Sequence, residues 1–309
     1  MDGAVMTRKI RLIFNAHADR GRAWDEASAL QEIIQRHGGA EWSATEYPGH
    51  AAELAEQATR EGYDIVAALG GDGTVHEVVN GIMRAPGTHK PQLGAVPIGS
   101  GNDFCANNGI QSDLEQAMER VFVGSPVPVD LGRVTDGSGR TEYLDNTLSI
   151  GFGAAVTIHS YKITRLQGFS MYLWAVILTI LRNYDAAHLK IKTDDTSIEQ
   201  DALMLGVCNG PREGGGFYTA PDAKTSDGVL NYTLVDRVSR PMMFRLLPEF
   251  MRGTHGGFRQ VHMGVCKWLE LTSDRPVPIH IDGEVFAGFT SDVRQLRIEV
   301  LPGALQVIV

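Results

Sequence analysis

The residues with the clearest chemical potential are the glycines, aspartate and threonine of Gly70–Thr74, which lie between an apolar and an amphipathic stretch. A glycine turn that leads into a helix offers bare N–H groups and the positive end of the helix dipole to a phosphate. Asp72 would repel that phosphate unless a divalent cation compensates, so the pattern indicates a Mg²⁺–nucleotide site. The simpler alternative is an ordinary tight turn, with a capping box from Thr74 to Glu77 that begins the helix at Thr74.

A second glycine loop, "GSGND" at Gly99–Asp103, also follows an apolar stretch. Loops at the carboxyl ends of adjacent parallel strands converge on one crevice. Together with the loop at Phe14–Gly21, the two glycine loops predict a single nucleotide site. An ordinary loop with an Asn/Asp cap is the alternative for Gly99–Asp103.

The elements that would position these loops follow an alternating pattern from Lys9 to about Val129. Short apolar strands alternate with helices of period 3.6, which predicts βαβ units, a parallel sheet and a three-layer α/β domain. Beyond Pro126 the pattern changes to strands broken by Gly, Asp and Pro, which predicts a mostly antiparallel β-sandwich. We place the domains at residues 1–127 and 128–297, and we interpret 140–153 as one strand.

The most apolar stretch is Phe169–Leu181, bounded by Arg165 and Arg182. Thirteen residues rise about 20 Å as a helix, which is short of the roughly 20 residues that a membrane span needs. A buried helix is the simpler interpretation. The alternatives are the wall of a groove for a lipid tail and a surface that rests on a bilayer.

Composition excludes some functions. The chain has 309 residues, 43% of them hydrophobic, and a formal net charge of −9, so a general nucleic-acid surface is not expected. Three widely spaced cysteines and the absence of a signal-peptide pattern favour a reduced, cytoplasmic protein.

The ordered motifs "GGDGTVHEVVNGI", "PIGSGNDF", "GGGFYTAPDAKTSDGVLNYTLV" and "IDGE" resemble the diacylglycerol kinase-type bacterial lipid kinases, which are related to sphingosine and ceramide kinases. The resemblance extends over essentially the whole chain. It implies an ATP- and Mg²⁺-dependent transfer of phosphate to a lipid hydroxyl. It also implies a β-sandwich that holds the lipid, and a last segment, 298–309, that completes the first domain.

The resemblance also implies roles for particular residues. Glu284 would be the proton acceptor and Asp72 the second essential acid, although spacing alone would favour an exposed turn acid at position 284. A Mg²⁺ site would use Asp227 with main-chain oxygens near Lys224 and Val229. The implied nucleotide-binding residues are Asn15, Thr45, Gly70, Gly71, Asp72, Gly73, Thr74, Val75, His76 and Ser100.

Two departures from the family pattern concern the first loop and the Thr45 segment. The loop reads "NAHADRG", with Ala16 in place of the usual proline and Asp19 near the position of a missing glycine, while Asn15 and Gly21 are kept. His50 stands where an acid is common, so no role that rests on that carboxylate is carried over.

Two other functions stay open at this point. The same phosphate loop would suit an NAD kinase, although the acidic ribose-binding motif of those enzymes is absent from the sequence. A nucleotide-binding sensor without turnover would not need both Asp72 and Glu284. We expect a lipid acceptor of unspecified identity, transient contact with the membrane surface, and a chain compatible with homodimer formation.

Overall fold

The computed structural model describes residues 8–16, 23–163, 165–166 and 168–309. The chain forms two compact units. Unit 1 comprises the residues up to Val129 together with Leu305–Val309, and unit 2 comprises Asp130–Ala304. Most of the first predicted loop, residues 17–22, lies outside the described residues.

Unit 1 is built by strands that alternate with helices, as the apolar periodicity predicts. The elements are β1 (Ile10–Phe14), α1 (Ala23–Arg36), β2 (Glu41–Ala44), α2 (His50–Arg60), β3 (Ile65–Gly70), α3 (Asp72–Arg84), β4 (Gln92–Pro97), α4 (Asp103–Asn107) and α5 (Leu114–Val123).

The sheet of unit 1 is parallel, with the strand order β2-β1-β3-β4 followed by the end of the last strand of the chain. Helix α2 packs on α3, and α1 packs on α5. Right-handed crossovers place these two helix pairs on opposite faces, which gives three layers. Because both faces are covered, every residue of β3 is buried.

Unit 2 is mostly antiparallel. Its strands are β5 (Pro126–Asp136), β6 (Thr141–Leu144), β7 (Thr147–Gly151), β8 (Ala187–Thr193), β9 (Ser197–Cys208), β10 (Leu230–Asp236), β11 (Val261–Cys266), β12 (Trp268–Ser273), β13 (Ile279–Ile281), β14 (Glu284–Ala287) and β15 (Gln295–Ile308), of which β5 begins and β15 ends in unit 1. Its helices are α6 (Phe152–Ser160), α7 (Gly168–Arg182) and α8 (Arg240–Arg252).

Strand β9 belongs to both sheets of the sandwich. Its first half pairs with β8, and its second half lies between β7 and β10. One sheet therefore has the order β14-β13-β7-β9-β10-β11, and the other continues from β9 through β8, β12, β15, β5 and β6. The apolar side chains of both sheets form a shared core that includes Leu148, Leu205, Leu269 and Ile279.

Two local predictions were wrong, and helices α4, α5 and α6 were not predicted. Helix α3 begins at Asp72 with Gly71 as its N-cap, not at Thr74. The single strand predicted at 140–153 is two strands, broken at Asp145–Asn146 and followed by α6. Helix α6 escaped prediction because almost all of its residues are buried, so its sequence has no polar face to give a 3.6 periodicity.

Within the described ranges, no helix is both long and apolar enough to cross a membrane.

Candidate functional site

The predicted nucleotide loops of unit 1 lie at the carboxyl ends of neighbouring parallel strands. The chain runs outward from β1 to β2 and then returns to β3 on the other side of β1, so β1 and β3 form the topological switch point of the sheet. Open α/β sheets bind ligands at this position. Asn15 follows β1, Gly71 follows β3, and the Nδ2 of Asn15 donates a 3.0 Å hydrogen bond to the Thr74 hydroxyl.

The two glycine loops approach each other through their main chains, as the sequence predicts. A Cβ on Gly99 would lie 2.4 Å from the Cα of Gly71, and a Cβ on Gly70 would lie 2.3 Å from the Thr74 hydroxyl oxygen. Gly71 also has no side chain that could cap α3. The N–H groups at the start of α3 can therefore serve an anion, which is the arrangement that a phosphate requires.

Asp72 is partly buried in the first turn of α3, where its Oδ1 accepts a 3.0 Å hydrogen bond from the main-chain N–H of Phe104. Burial, and after it the nearby Asp103 carboxylate, raises the pKa of Asp72 from 3.8 to about 6, although main-chain N–H groups of α4 oppose the shift. A carboxylate whose charge is disfavoured by burial and by a neighbouring acid is in an environment that a divalent cation would stabilise. Among the described residues of unit 1, Asp72 and Asp103 thus form a pair of hard oxygen ligands of the kind that suits Mg²⁺.

The other predicted nucleotide residues of unit 1 differ in their exposure. Thr45 is buried, and its N–H donates to the carbonyl of Phe14 at 2.8 Å, so it lies beside the end of β1. Val75 and His76 are buried in the first turns of α3, whereas Ser100 is exposed. The fold thus places Thr45 and Ser100 after the strands that flank β1 and β3.

Glu77 caps a different helix from the one predicted. Its carboxylate accepts hydrogen bonds from the N–H groups of Gly49 (2.8 Å) and Ala51 (3.0 Å) at the start of α2. The spacing of a capping box is present in the sequence, but the carboxylate reaches a neighbouring helix and so ties α3 to α2.

In unit 2, Glu284 begins β14 directly after a tight two-residue turn. Asp282 and Gly283 both have positive φ, at 52° and 86°, which is the geometry of a type I′ hairpin and explains the Asp-Gly pair. The Asp282 carboxylate accepts hydrogen bonds of 2.8–2.9 Å from the N–H groups of Asp145, Asn146 and Thr147. Glu284 is therefore held by a turn that is itself anchored to the start of β7.

Tyr161, which the sequence reasoning missed, contacts Glu284. Its hydroxyl lies 2.9 Å from Oε2 of Glu284 and 3.0 Å from the carbonyl oxygen of Gly283. Desolvation at the hydroxyl, and after it the Glu284 carboxylate, raises the pKa of Tyr161 well above its usual range even though the residue as a whole is 57% exposed, so its hydroxyl keeps the proton. A tyrosine that follows an unpredicted helix carries no motif by which it could have been found.

The predicted metal segment of unit 2 is a surface turn. Lys224 and Asp227 are exposed, and Oδ1 of Asp227 accepts a 3.3 Å hydrogen bond from the N–H of Val229. The buried carboxylate beside this turn is that of Asp130, which accepts hydrogen bonds from the N–H groups of Gly228 and Gly303. The exposed Asp227 carboxylate is a hard oxygen ligand of the kind that Mg²⁺ prefers.

Unit 2 also contains a small, open and mostly apolar pocket, whose cavity volume is about 40 Å³. Helix α6 contributes Phe152 and Val156, α7 contributes Tyr172 and Val176, and further side chains come from β9, α8 and the loop at 211–221. The predicted apolar helix is therefore the wall of a pocket and not only core.

The loop at 211–221 is packed against α7. A Cβ on Gly214 would lie 2.7 Å from the Tyr172 ring, and one on Gly216 would lie 2.6 Å from the Phe169 ring. The Phe217 ring stacks on that of Phe169, with 5.6 Å between the ring centroids. The glycines of this loop are thus required by close packing on aromatic rings.

The chain matches two family models. Residues 9–134 match the diacylglycerol kinase catalytic domain, and residues 146–309 match the YegS C-terminal NAD kinase beta sandwich-like domain. Two relatives named "Probable lipid kinase YegS-like", from Yersinia enterocolitica serotype O:8 / biotype 1B and Yersinia pestis (strain Pestoides F), are 28% and 29% identical to it, and each match covers 84% of this chain and 83% of the relative.

Two crystal structures from Bacillus anthracis str. Sterne, both named for diacylglycerol kinase, share the fold. They superimpose with TM-scores of 0.78 and 0.72 at 22% and 20% sequence identity, and each covers 97% of this chain and 96% of its own.

Proposed function

Because this chain belongs to the diacylglycerol kinase-type family of YegS-like lipid kinases, we propose that it transfers the γ-phosphate of ATP to a hydroxyl of a membrane-derived lipid. Diacylglycerol, phosphatidylglycerol and sphingoid-like lipids all carry such a hydroxyl. The proposal assigns the nucleotide to unit 1 and the acceptor lipid to unit 2. Family membership makes the chain a lipid kinase, so the NAD kinase and the sensor without turnover are no longer favoured.

The observation that carries the proposal is the path of helix α6. Its first turns line the apolar pocket through Phe152 and Val156, and the residue after its end, Tyr161, contacts Glu284. Tyr161 lies nine positions after Phe152 along this helix, a rise of roughly 13 Å. A lipid whose tail occupies the pocket would therefore have its polar end within one length of helix α6 from the Glu284 carboxylate.

The proposed chemistry uses Glu284 as the general base. As the lipid oxygen bonds to the γ-phosphorus and the bond to the β–γ bridging oxygen breaks, the carboxylate takes the hydroxyl proton. The products are ADP and a lipid phosphate monoester. Tyr161 donates its hydroxyl proton toward Oε2, which orients the carboxylate so that its other oxygen accepts the proton.

The nucleotide would be held by main-chain N–H groups of the Gly70–Thr74 loop, with Asn15, Thr45 and Ser100 around it and Val75 and His76 behind it. Asp72, beside Asp103, would hold Mg²⁺, which supplies charge neutralisation for the phosphates. Asp227, with oxygens near Lys224 and Val229, would hold a second Mg²⁺. Support comes from the close loop approach at Gly71 and from the raised pKa of Asp72.

Contact with a bilayer would use one face of α7. Trp174 and Leu181 are about half exposed, and they lie two helical turns apart on the same face. Apolar side chains on such a face favour partition into the lipid interface. Homodimer formation stays a prediction from the sequence, which analytical ultracentrifugation would test.

The test is transfer of labelled γ-phosphate from Mg²⁺–ATP into organic-extractable material, with a lipid panel in detergent and a separate reaction that contains NAD. We expect label in one lipid band and a loss of about 10²–10⁴-fold in the Glu284→Gln variant. Glu270→Gln, the same change on an exposed strand of unit 2, is the matched control and should keep the wild-type rate. Label only in NADP, or an undiminished rate in folded Glu284→Gln, would refute the proposal.

A further inference from the structure

A buried carboxylate, Glu213, lies on the wall of the otherwise apolar pocket of unit 2. The neighbouring wall is formed by hydrophobic side chains, among them Phe152, Met204, Phe217 and Phe250. Glu213 is 8% exposed, and it is held in place by main-chain hydrogen bonds to Phe217 in both directions, at 2.8 and 3.0 Å. An acid in such a wall is costly unless its oxygens are hydrogen-bonded.

The carboxylate of Glu213 accepts two side-chain hydrogen bonds. The Thr219 hydroxyl donates to Oε1 at 2.5 Å, and the Thr147 hydroxyl donates to Oε2 at 3.1 Å. A carboxylate has about four lone-pair positions, so these two threonines fill about half of its capacity. The remaining capacity is available to a donor that enters the pocket.

His280 is the third polar neighbour of this carboxylate. Its ring is almost fully buried, and burial lowers its pKa, so the ring is neutral near pH 7. Its Nδ1 accepts a hydrogen bond from the N–H of Gly283 at 3.3 Å, which leaves the proton on Nε2. Nε2 lies 3.7 Å from Oε2 of Glu213 and has no hydrogen-bond partner among the residues that the structure describes. The neighbourhood of Glu213 therefore contains an unused donor in addition to unused acceptor positions.

We propose that Glu213 selects the acceptor lipid: the pocket favours a chain that carries a hydrogen-bond donor, a hydroxyl or an amide N–H, over an unsubstituted hydrocarbon chain. The inference rests on the proposed function, since it assigns the tail of the acceptor to this pocket. A plain chain would cover the carboxylate and leave its remaining acceptor positions without water or a further donor, whereas a donor-bearing chain would bond to one of them. Sites built to hydrogen-bond a substrate group discriminate strongly against analogues that lack it.

The competing explanation is a structural latch. Glu213 ties the loop at 211–221 to Thr147 at the start of β7, and a latch would serve all lipids equally. The two explanations differ in one measurable quantity, the ratio of the affinities for a donor-bearing lipid and for the plain lipid. If Glu213 is only a latch, its substitution lowers the stability or the rate without changing that ratio. If Glu213 selects the lipid, its substitution changes the ratio.

The experiment uses the full chain and three lipids in detergent micelles: dioleoylglycerol, diricinoleoylglycerol, which adds one hydroxyl to each chain, and an N-oleoyl sphingoid base, whose donors lie nearer the headgroup. Binding is measured by displacement of a fluorescent diacylglycerol, and phosphate transfer is measured separately. The variants are Glu213→Leu and the nearly isosteric Glu213→Gln, with thermal unfolding to check the fold.

We expect wild type to bind at least one donor-bearing lipid about tenfold more tightly than dioleoylglycerol. The ratio should fall to about one in Glu213→Leu and be retained in part in Glu213→Gln. Equal ratios in wild type and both variants, or no binding of any of the three lipids to wild type, would overturn the inference. Transfer with a ratio independent of Glu213 defeats the inference alone. Glu213-dependent binding without any transfer defeats the proposed function alone.

Discussion

At the scale of single residues, Asp72 has the most unusual environment in the nucleotide loops. Its carboxylate is partly buried and lies beside Asp103, and both conditions disfavour its charge. Such an acid lowers the free energy of unfolding when no cation is bound, and the binding of a cation offsets this loss. Sites of this kind exchange stability for function.

We predict that Asp72→Asn inactivates the enzyme and stabilises the fold near pH 7. The pKa of Asp72 is raised from 3.8 to about 6 in the folded chain, so the unfolded chain binds fewer protons between these values and stability falls as pH rises through about 6. The amide lacks this titration. In the absence of metal, the free energy of unfolding of the variant should therefore exceed that of wild type by about 1–3 kcal/mol at pH 7 and by little at pH 4.

Urea denaturation at both pH values measures this difference. Asp185→Asn, which removes a carboxylate whose side chain is 80% exposed, is the control. Its free energy of unfolding should change between the two pH values by the same amount as that of wild type. The same change in the free energy of unfolding for Asp72→Asn as for wild type would contradict the prediction.

Tyr161 has a positioning role in the proposed mechanism, since its hydroxyl bonds to Glu284. We predict that Tyr161→Phe lowers kcat about tenfold, less than the loss in Glu284→Gln, because the base is kept but loses its orientation. The KM for ATP should not change. Steady-state kinetics decide, with Tyr184→Phe as a control that removes a different tyrosine hydrogen bond in unit 2. Equal kcat in wild type and Tyr161→Phe would exclude this role.

At the scale of elements, the proposed nucleotide site depends on two loops that touch through main-chain atoms. Strands β3 and β4 are adjacent and in register up to Gly70 and Pro97, so the loops that follow them start side by side. The contact between Gly71 and Gly99 is possible only without side chains. Each loop therefore sets the position of the other.

We predict that Gly99→Ala impairs ATP binding. Its Cβ would lie 2.4 Å from the Cα of Gly71 and 2.7 Å from Oδ1 of Asn102, so both loops must move. Overpacking of this kind costs about 1–3 kcal/mol, and we expect the KM for ATP to rise about tenfold. Gly257→Ala is the control, because its added Cβ meets no atom within 4 Å. A KM unchanged from wild type would show that the loops are not coupled in this way.

At the scale of the whole molecule, the proposed acceptor is a lipid that the enzyme would collect from a membrane. The described residues contain no helix that could span a bilayer. Helix α7 has its pocket-lining side chains on one face and Trp174 and Leu181 on another. The same helix could thus serve both the pocket and the lipid interface.

We predict that Trp174→Ser combined with Leu181→Ser lowers activity on lipid vesicles relative to detergent micelles. Each large apolar side chain that enters the interface contributes up to about 1.5–3 kcal/mol, so the ratio of the two rates should fall at least about tenfold. Val265→Ser removes another exposed apolar side chain of unit 2 and should leave the ratio unchanged. An unchanged ratio in the double variant would place the membrane contact elsewhere.

The sequence by itself determined the fold class and the loops of unit 1. Apolar periods of two and 3.6 residues are local properties, and they predicted strands β1–β4 and helices α1–α3 of unit 1, whereas α4 and α5 were not predicted. Strand adjacency then placed Gly70–Thr74 and Gly99–Asp103 together, because parallel strands end at one edge. The motifs around Glu284 and Asp227 were recognised as a resemblance, and their roles stay predictions.

Only the tertiary structure decided which side chains meet across distant segments. Helix α6 is buried almost all round, so no polar face signalled it, and with it Tyr161 was missed. Glu213 was not among the predicted site residues, yet Thr147 and His280 reach it from distant positions in the chain. Such contacts depend on how the sheets pack, and no local pattern of residues records that.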